Sequence, residues 1–123
     1  GFVSSLLAAA GKAVEVDESL QDAITATSGS GPAYFFAFVE AMVEGAIALG
    51  LSRQDATTLT IQTIVGSAAL LEHSGDSPTT LREKVTSPNG TTAAALASFS
   101  NDHLSEIVAR AMKAAHARSQ ELA

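Results

Sequence analysis

Pro32-Ala33-Tyr34-Phe35-Phe36-Ala37-Phe38-Val39-Glu40-Ala41-Met42-Val43-Glu44-Gly45-Ala46-Ile47-Ala48-Leu49-Gly50 opens on a proline and closes on a glycine, the pair that commonly brackets a helix. Between them Tyr34, Phe35, Phe36, Phe38, Val39, Met42, Val43, Ile47 and Leu49 encircle the helix and leave only a narrow strip at Glu40 and Glu44. A helix that is apolar all round must be buried all round. Ile61, Ile64, Val65, Leu70 and Leu71 make the next helical segment nearly as apolar. A chain of 123 residues has too little else to surround two such helices. The expectation is a partner chain, in a symmetric homodimer whose helices pack across the interface.

Outward from this segment the pattern stays helical. Leu51-Ser52 leads into a third helix, with Ser52 and Asp55 placed as in a capping box, that reaches about His73. Ser77-Pro78 reads as a cap followed by a first-turn proline, starting a short helix through Leu81 and Val85 that stops before Pro88. Thr91 to Phe99 and Asp102 to Leu122 complete the set. The last helix is amphipathic, with Leu104, Ile107, Val108, Ala111, Met112 and Ala115 opposite Glu106, Arg110, Lys113 and Arg118. Such a helix covers a core from outside. Upstream, Asp17 caps a helix carrying Leu20, Ala23 and Ile24, which runs into a Ser28-Gly29-Ser30-Gly31 breaker. Before it, Val3 to Ala10 reads as a short helix ended by Gly11, and Ala13-Val14-Glu15-Val16 alternates like a strand. A lone strand needs partners for its backbone groups, so it points to a sheet outside the chain.

Composition narrows the function classes. The formal charge is -6 and 46% of residues are hydrophobic. No basic stripe is available to neutralise phosphates, which excludes a nucleic-acid footprint and argues against an anionic membrane surface. The apolar run from Ala33 to Val39 is interrupted by Glu40 and Glu44 before it could span a bilayer. With no Cys there is no disulfide framework and no thiolate nucleophile or ligand. His73, His103 and His116 lack the paired spacing of a zinc site, so no metal is expected. Glu40 with Glu44, and Arg82-Glu83-Lys84, read most simply as solvated helix faces.

Two segments carry chemistry-bearing residues. In Thr86-Ser87-Pro88-Asn89-Gly90-Thr91-Thr92, Pro88 ends one helix, Asn89 tolerates left-handed geometry, and Gly90 lets a ligand approach the main chain. The N–H groups of Thr91 and Thr92 are then orphan donors at a helix start, and hydroxyls of Ser87, Thr91 and Thr92 add to them, which suits a carboxylate or phosphate. A plain turn followed by a capped helix accounts for the same residues, and turn chemistry is the commoner source of such a string. Ser28-Gly29-Ser30-Gly31-Pro32-Ala33-Tyr34 allows close approach of something flat or charged. Its glycine spacing is no dinucleotide fingerprint, and on its own it reads as a helix-helix connection.

Together, Ser28-Gly29-Ser30-Gly31-Pro32-Ala33-Tyr34, Gly50-Leu51 and Leu81-Arg82-Glu83-Lys84-Val85-Thr86-Ser87-Pro88-Asn89-Gly90-Thr91-Thr92, with the spacing between them, closely resemble pyrroline-5-carboxylate reductase. The resemblance spans essentially the whole chain. It implies an all-α fold: a helical bundle over 17–123 that interleaves with a second copy to form a homodimer and binds substrate. Residues 1–16 are then a short remnant, helix and strand, of a Rossmann domain. The reaction implied is NAD(P)H-dependent reduction of 1-pyrroline-5-carboxylate to L-proline, the last step of proline biosynthesis, in the cytoplasm. Ser87, Gly90, Thr91 and Thr92 correspond to the family's substrate loop, with Thr92 the catalytic residue beside the ring nitrogen. Ser30, Gly31 and Pro32 lie near the nicotinamide end of NADPH or NADH, whose larger part belongs to the other domain. The family often has Gly where Asn89 stands. A chain limited to this part is expected to lack turnover. The alternatives are a non-catalytic helical dimerisation module and a reductase of a related cyclic imino acid; a higher oligomer built from dimers is a further option.

Overall fold

The computed structural model describes residues 2–7 and 12–123, with side chains from Val16 onward. Two strands come first, β1 (Phe2–Leu7) and β2 (Lys12–Asp17), paired antiparallel with Val3 opposite Val16 and Leu7 opposite Lys12. The strand expected over Ala13 to Val16 is thus present. The helix expected from Val3 to Ala10 is not: Phe2–Leu7 is a strand, and Ala8 to Ala10 and Gly11 lie outside the described residues. An isolated eight-residue helix is marginal, whereas pairing with β2 gives the backbone groups of both segments partners. The β2 strand therefore finds its neighbour within the chain.

Helical structure begins at Glu18 and no strand follows among the described residues. Asp17 accepts the Ser19 N–H at 2.9 Å and starts a 3-10 turn, Glu18–Leu20, that passes into α1 (Gln21–Ile24). The expected breaker takes a different form: Thr25–Gly29 winds as a π-helical turn, and α2 (Gly31–Ala48) starts two residues later. Thr25, Thr27 and Ser28 each donate their hydroxyl to the carbonyl four residues back. Such back-bonding competes with the regular ladder and bends helices, and it accompanies the wider winding here. Gly50 ends α2 in left-handed geometry at φ 113°, with Leu51 N–H on Ala46 O and Gly50 N–H on Ile47 O, the paired bonds of a Schellman cap.

The remaining helices are α3 (Arg53–His73), α4 (Pro78–Lys84), α5 (Thr91–Asn101) and α6 (Leu104–Leu122). Ser52 accepts the Asp55 N–H and Ser77 accepts the Thr80 N–H, both at 3.1 Å, so the two expected caps are in place. Helix α6 starts at Leu104 rather than Asp102. Asp102 caps the end of α5, and His103, left-handed at φ 62°, breaks the two helices apart.

The chain divides into two compact units, Gly1–Phe36 with Leu104–Ala123, and Ala37–His103. In the first, α6 packs on α1 and the π-turn, Ser119 Oγ donates to Asp22 Oδ1 at 2.6 Å, and Ala26 is buried. In the second, Val43, Ala56 and Thr60 are buried and the rings of Phe38 and Phe99 stand 6.1 Å apart. No large side chain among the described residues is fully buried. Phe35, Phe36 and Val65 are each more than 60% exposed, and Met42, Leu59, Ile61, Leu70 and Leu71 are exposed as well. The expected all-round burial of α2 and α3 is not achieved by one chain. The apolar stripe of α6 is covered only toward its end: Leu104, Ile107 and Val108 are exposed, while Met112 and Ala115 are half-buried.

Candidate functional site

Helix α4 ends where its last carbonyls are taken: Val85 N–H and Thr86 N–H fold back to Arg82 O and Glu83 O, and the Thr86 hydroxyl donates to Arg82 O at 2.6 Å. Lys84 pairs with Asp76 at 2.6 Å and ties the helix end to the preceding turn. The chain then reverses. Gly90 N–H donates to Ser87 O at 3.1 Å across Pro88 and Asn89, with Asn89 at φ 60°. Proline second and a left-handed residue third is the placement of a type II turn, so the tolerance expected of Asn89 is used.

Gly90 is the N-cap of α5, with extended backbone (φ -88°, ψ -174°) and no side chain to cap the helix. Its φ suits any residue. Its lack of a Cβ matters for space instead, since a Cβ there would stand 3.2 Å from Ser87 O and 3.5 Å from Ser87 Cβ. The first bond of the α5 ladder is Ala94 N–H to Gly90 O. Among the described residues nothing accepts the N–H groups of Thr91 and Thr92, which stand at the positive end of the helix dipole. Ser87 and Thr91 are exposed, and Gly90 and Thr92 half-buried. One short turn thus brings the backbone donors of Thr91 and Thr92 and the residues Ser87 and Gly90 together, an arrangement suited to an oxyanion.

The second sequence-derived segment, Ser30-Gly31-Pro32, joins the π-turn to α2. Ser30 N–H donates to Thr25 O at 2.8 Å and Ser30 O accepts Ala33 N–H at 3.1 Å. Gly31 is buried, and beyond its own helix backbone and chain neighbours nothing lies within 4 Å of where a Cβ on it would be. Among the described residues these two segments belong to different compact units. The π-turn itself was not anticipated from sequence; the run of hydroxyls at Thr25, Thr27 and Ser28, each able to bond four residues back, was its signal.

The other candidates stay bland. Glu44 pairs with Arg53 at 2.9 Å with both side chains mostly exposed. No group of His, Asp and Glu among the described residues could hold a metal ion, and no helix among them is long and apolar enough to cross a membrane. Asp17 has its carboxyl held below the usual range, chiefly by the Ser19 backbone N–H and then by the Ser19 side chain, a cap rather than a reacting group.

The family described as pyrroline-5-carboxylate reductase dimerisation matches residues 18–122. The chain belongs to this family. The match runs from the 3-10 turn to the end of α6, so all six helices of this dimerisation domain fall within it. A pyrroline-5-carboxylate reductase of Pseudomonas aeruginosa is 50% identical over 119 residues, covering 96% of this chain and 44% of the relative. One of Synechocystis is 42% identical over 118 residues, again with 44% of the relative covered. The chain therefore spans less than half the length of these curated relatives. Among solved structures, pyrroline-5-carboxylate reductase of Coxiella burnetii superposes with a TM-score of 0.85 at 41% identity, covering 88% of this chain and 40% of that one. The Plasmodium falciparum enzyme, solved with NADP bound, gives 0.82 at 34% identity over 86% of this chain and 40% of that one.

Proposed function

We propose that this chain is the dimerisation and imino-acid-binding part of an NAD(P)H-dependent reductase that converts 1-pyrroline-5-carboxylate to L-proline. The observation that carries the reading is the start of α5, where the N–H groups of Thr91 and Thr92 lack acceptors among the described residues in a chain of this family. The substrate is a small cyclic imine with one carboxylate. That carboxylate accepts from the Thr91 and Thr92 N–H groups and from the Ser87 hydroxyl, bonds to a charged acceptor that each contribute about 1.5–3 kcal/mol. The missing Cβ at Gly90 keeps the approach clear.

With the carboxylate held, Thr92 sits at the ring nitrogen. NAD(P)H, when bound, supplies a hydride and its two electrons to the carbon of the C=N bond. As that C–H bond forms, the π pair moves to nitrogen, which ends as the amine carrying a proton. The Thr92 hydroxyl hydrogen-bonds to this nitrogen and orients the imine, and the proton the amine gains comes from solvent through that hydrogen bond. No nucleophile or metal is needed, because orientation and charge complementarity do the work. Ser30, Gly31 and Pro32 take the nicotinamide end, with Pro32 exposed and Ser30 half-buried.

Phe35, Phe36, Met42, Ile61, Val65, Leu70 and Leu71, exposed in one chain, are covered by a second copy in a homodimer or a multiple of it. Burying each such side chain stabilises by about 1.5–3 kcal/mol. The cytoplasm is the proposed compartment. The test is NAD(P)H oxidation coupled to proline formation by the reductase carrying this chain, with its mass from sedimentation. Absence of pyrroline-5-carboxylate-dependent oxidation contradicts the reaction, and a stable monomer at micromolar concentration contradicts the dimer.

A further inference from the structure

The π-turn creates a polar problem that one side chain solves. Its ladder ends with Ser30 N–H on Thr25 O at 2.8 Å, so Ser30 does not serve Ala26 O, the acceptor an α-helix would give it. Pro32 has no N–H to offer. Ala26 is 3% exposed, and a buried carbonyl without a partner is costly. The Tyr34 hydroxyl reaches back eight residues and donates to Ala26 O at 2.7 Å. This bond closes a loop in the chain that contains Ser28, Gly29, Ser30, Gly31 and Pro32.

A π-turn is an α-helix with one residue too many, and it persists where the surroundings over-determine it. Regular α winding would hand Ala26 O to the Ser30 N–H and draw Ser30 and Gly31 around the helix axis. With Tyr34 on that carbonyl, the competing bond is occupied. We infer that Tyr34 is a positioning residue for the cofactor end of the site: its hydroxyl, by holding the Ala26 carbonyl, fixes the winding that presents Ser30, Gly31 and Pro32. The inference rests on the proposed placement of those three residues at the nicotinamide.

Tyr34→Phe removes the hydroxyl and keeps the ring, and Tyr34→Met serves if the first variant fails to fold. In the reductase carrying this chain, either variant is expected to raise KM for NAD(P)H about five-fold, with KM for pyrroline-5-carboxylate nearly unchanged. Amide exchange at Ser30 and Gly31 should quicken by about the same factor while α3 is unaffected. Val43→Ala, a cavity in the other unit, is the stability control and should leave both KM values alone. If Tyr34→Phe lowers thermal stability as the control does but shifts neither the cofactor KM nor the Ser30 and Gly31 exchange, the hydroxyl is merely structural and the inference falls. Loss of folding in both variants overturns it too. Wild-type enzyme without imine-dependent turnover sinks the proposed function instead, and the positioning role with it.

Discussion

The starts of α3 and α5 are built from different residues and end up differently. At α3 the Ser52 hydroxyl takes the Asp55 N–H, and Asp55 adds a negative charge to the first turn. At α5 the cap is Gly90, no side chain bonds inward, and no acidic residue occupies the first turn. A Gly cap in place of Ser costs only about a few tenths of a kcal/mol, so α5 forgoes the side-chain bond with little loss of stability at that point. The lesson is that α3 neutralises its own positive end, whereas the end of α5 stays uncapped, which is what the proposed carboxylate site requires. The neighbouring turn agrees, since Asn89 spends left-handed geometry and Gly90 spends a Cβ to keep the approach short and open.

The largest test of this contrast is chemical. Thr92→Ala in the reductase should lower kcat about a hundred-fold while secondary structure and dimer mass hold, and unchanged steady-state kinetics would remove Thr92 from the mechanism. Gly90→Val comes next. Its branched Cβ must push on Ser87 O, 3.2 Å from where it would stand, and KM for pyrroline-5-carboxylate should rise at least about ten-fold; a normal KM would mean the α5 start does not hold the carboxylate. Ser52→Ala should do the opposite, costing about 1 kcal/mol in denaturant unfolding with both KM values unmoved. Loss of substrate affinity there would erase the distinction between the two helix starts. The smallest effect concerns Asp17, whose folded pKa lies below its ordinary 3.8. A depressed acid stabilises above its unfolded pKa, and that contribution is lost as pH falls from about 3.8 through the lower folded value. Replacing it with Asn should flatten the acid limb of stability below pH 4, and an unaltered limb would show that the cap bond contributes nothing.

Much of this was legible because it rests on local chemistry. Ser52 and Ser77 announce caps, Pro78 a first turn, Gly50 a C-terminus, and each does in the structure what its residue type allows. The greasy girdle of α2 foretold surface that a single chain leaves exposed. The π-turn was harder, because Thr25, Thr27 and Ser28 suit either a loop or a back-bonded helix, and the choice depends on Tyr34 meeting a carbonyl eight residues away. The strand Phe2–Leu7 escaped for a similar reason. Its apolar residues fit helical spacing, and only pairing with Lys12–Asp17 selects the extended form. The boundary between α5 and α6 moved for a third reason: His103 adopts a left-handed conformation that is uncommon for residues other than glycine. For the site, the turn and its free donors could be read from Pro88, Asn89 and Gly90, but spacing alone left a plain turn standing beside an anion site.

Amide chemical shifts of the assembled reductase during titration with L-proline, the product, test the central claim most directly. The Thr91 and Thr92 resonances should move and saturate, while those of Gln54 and Asp55 at the capped start of α3 stay in place. Unmoved Thr91 and Thr92 amides at concentrations that inhibit turnover would contradict the assignment of α5 as the carboxylate-binding end.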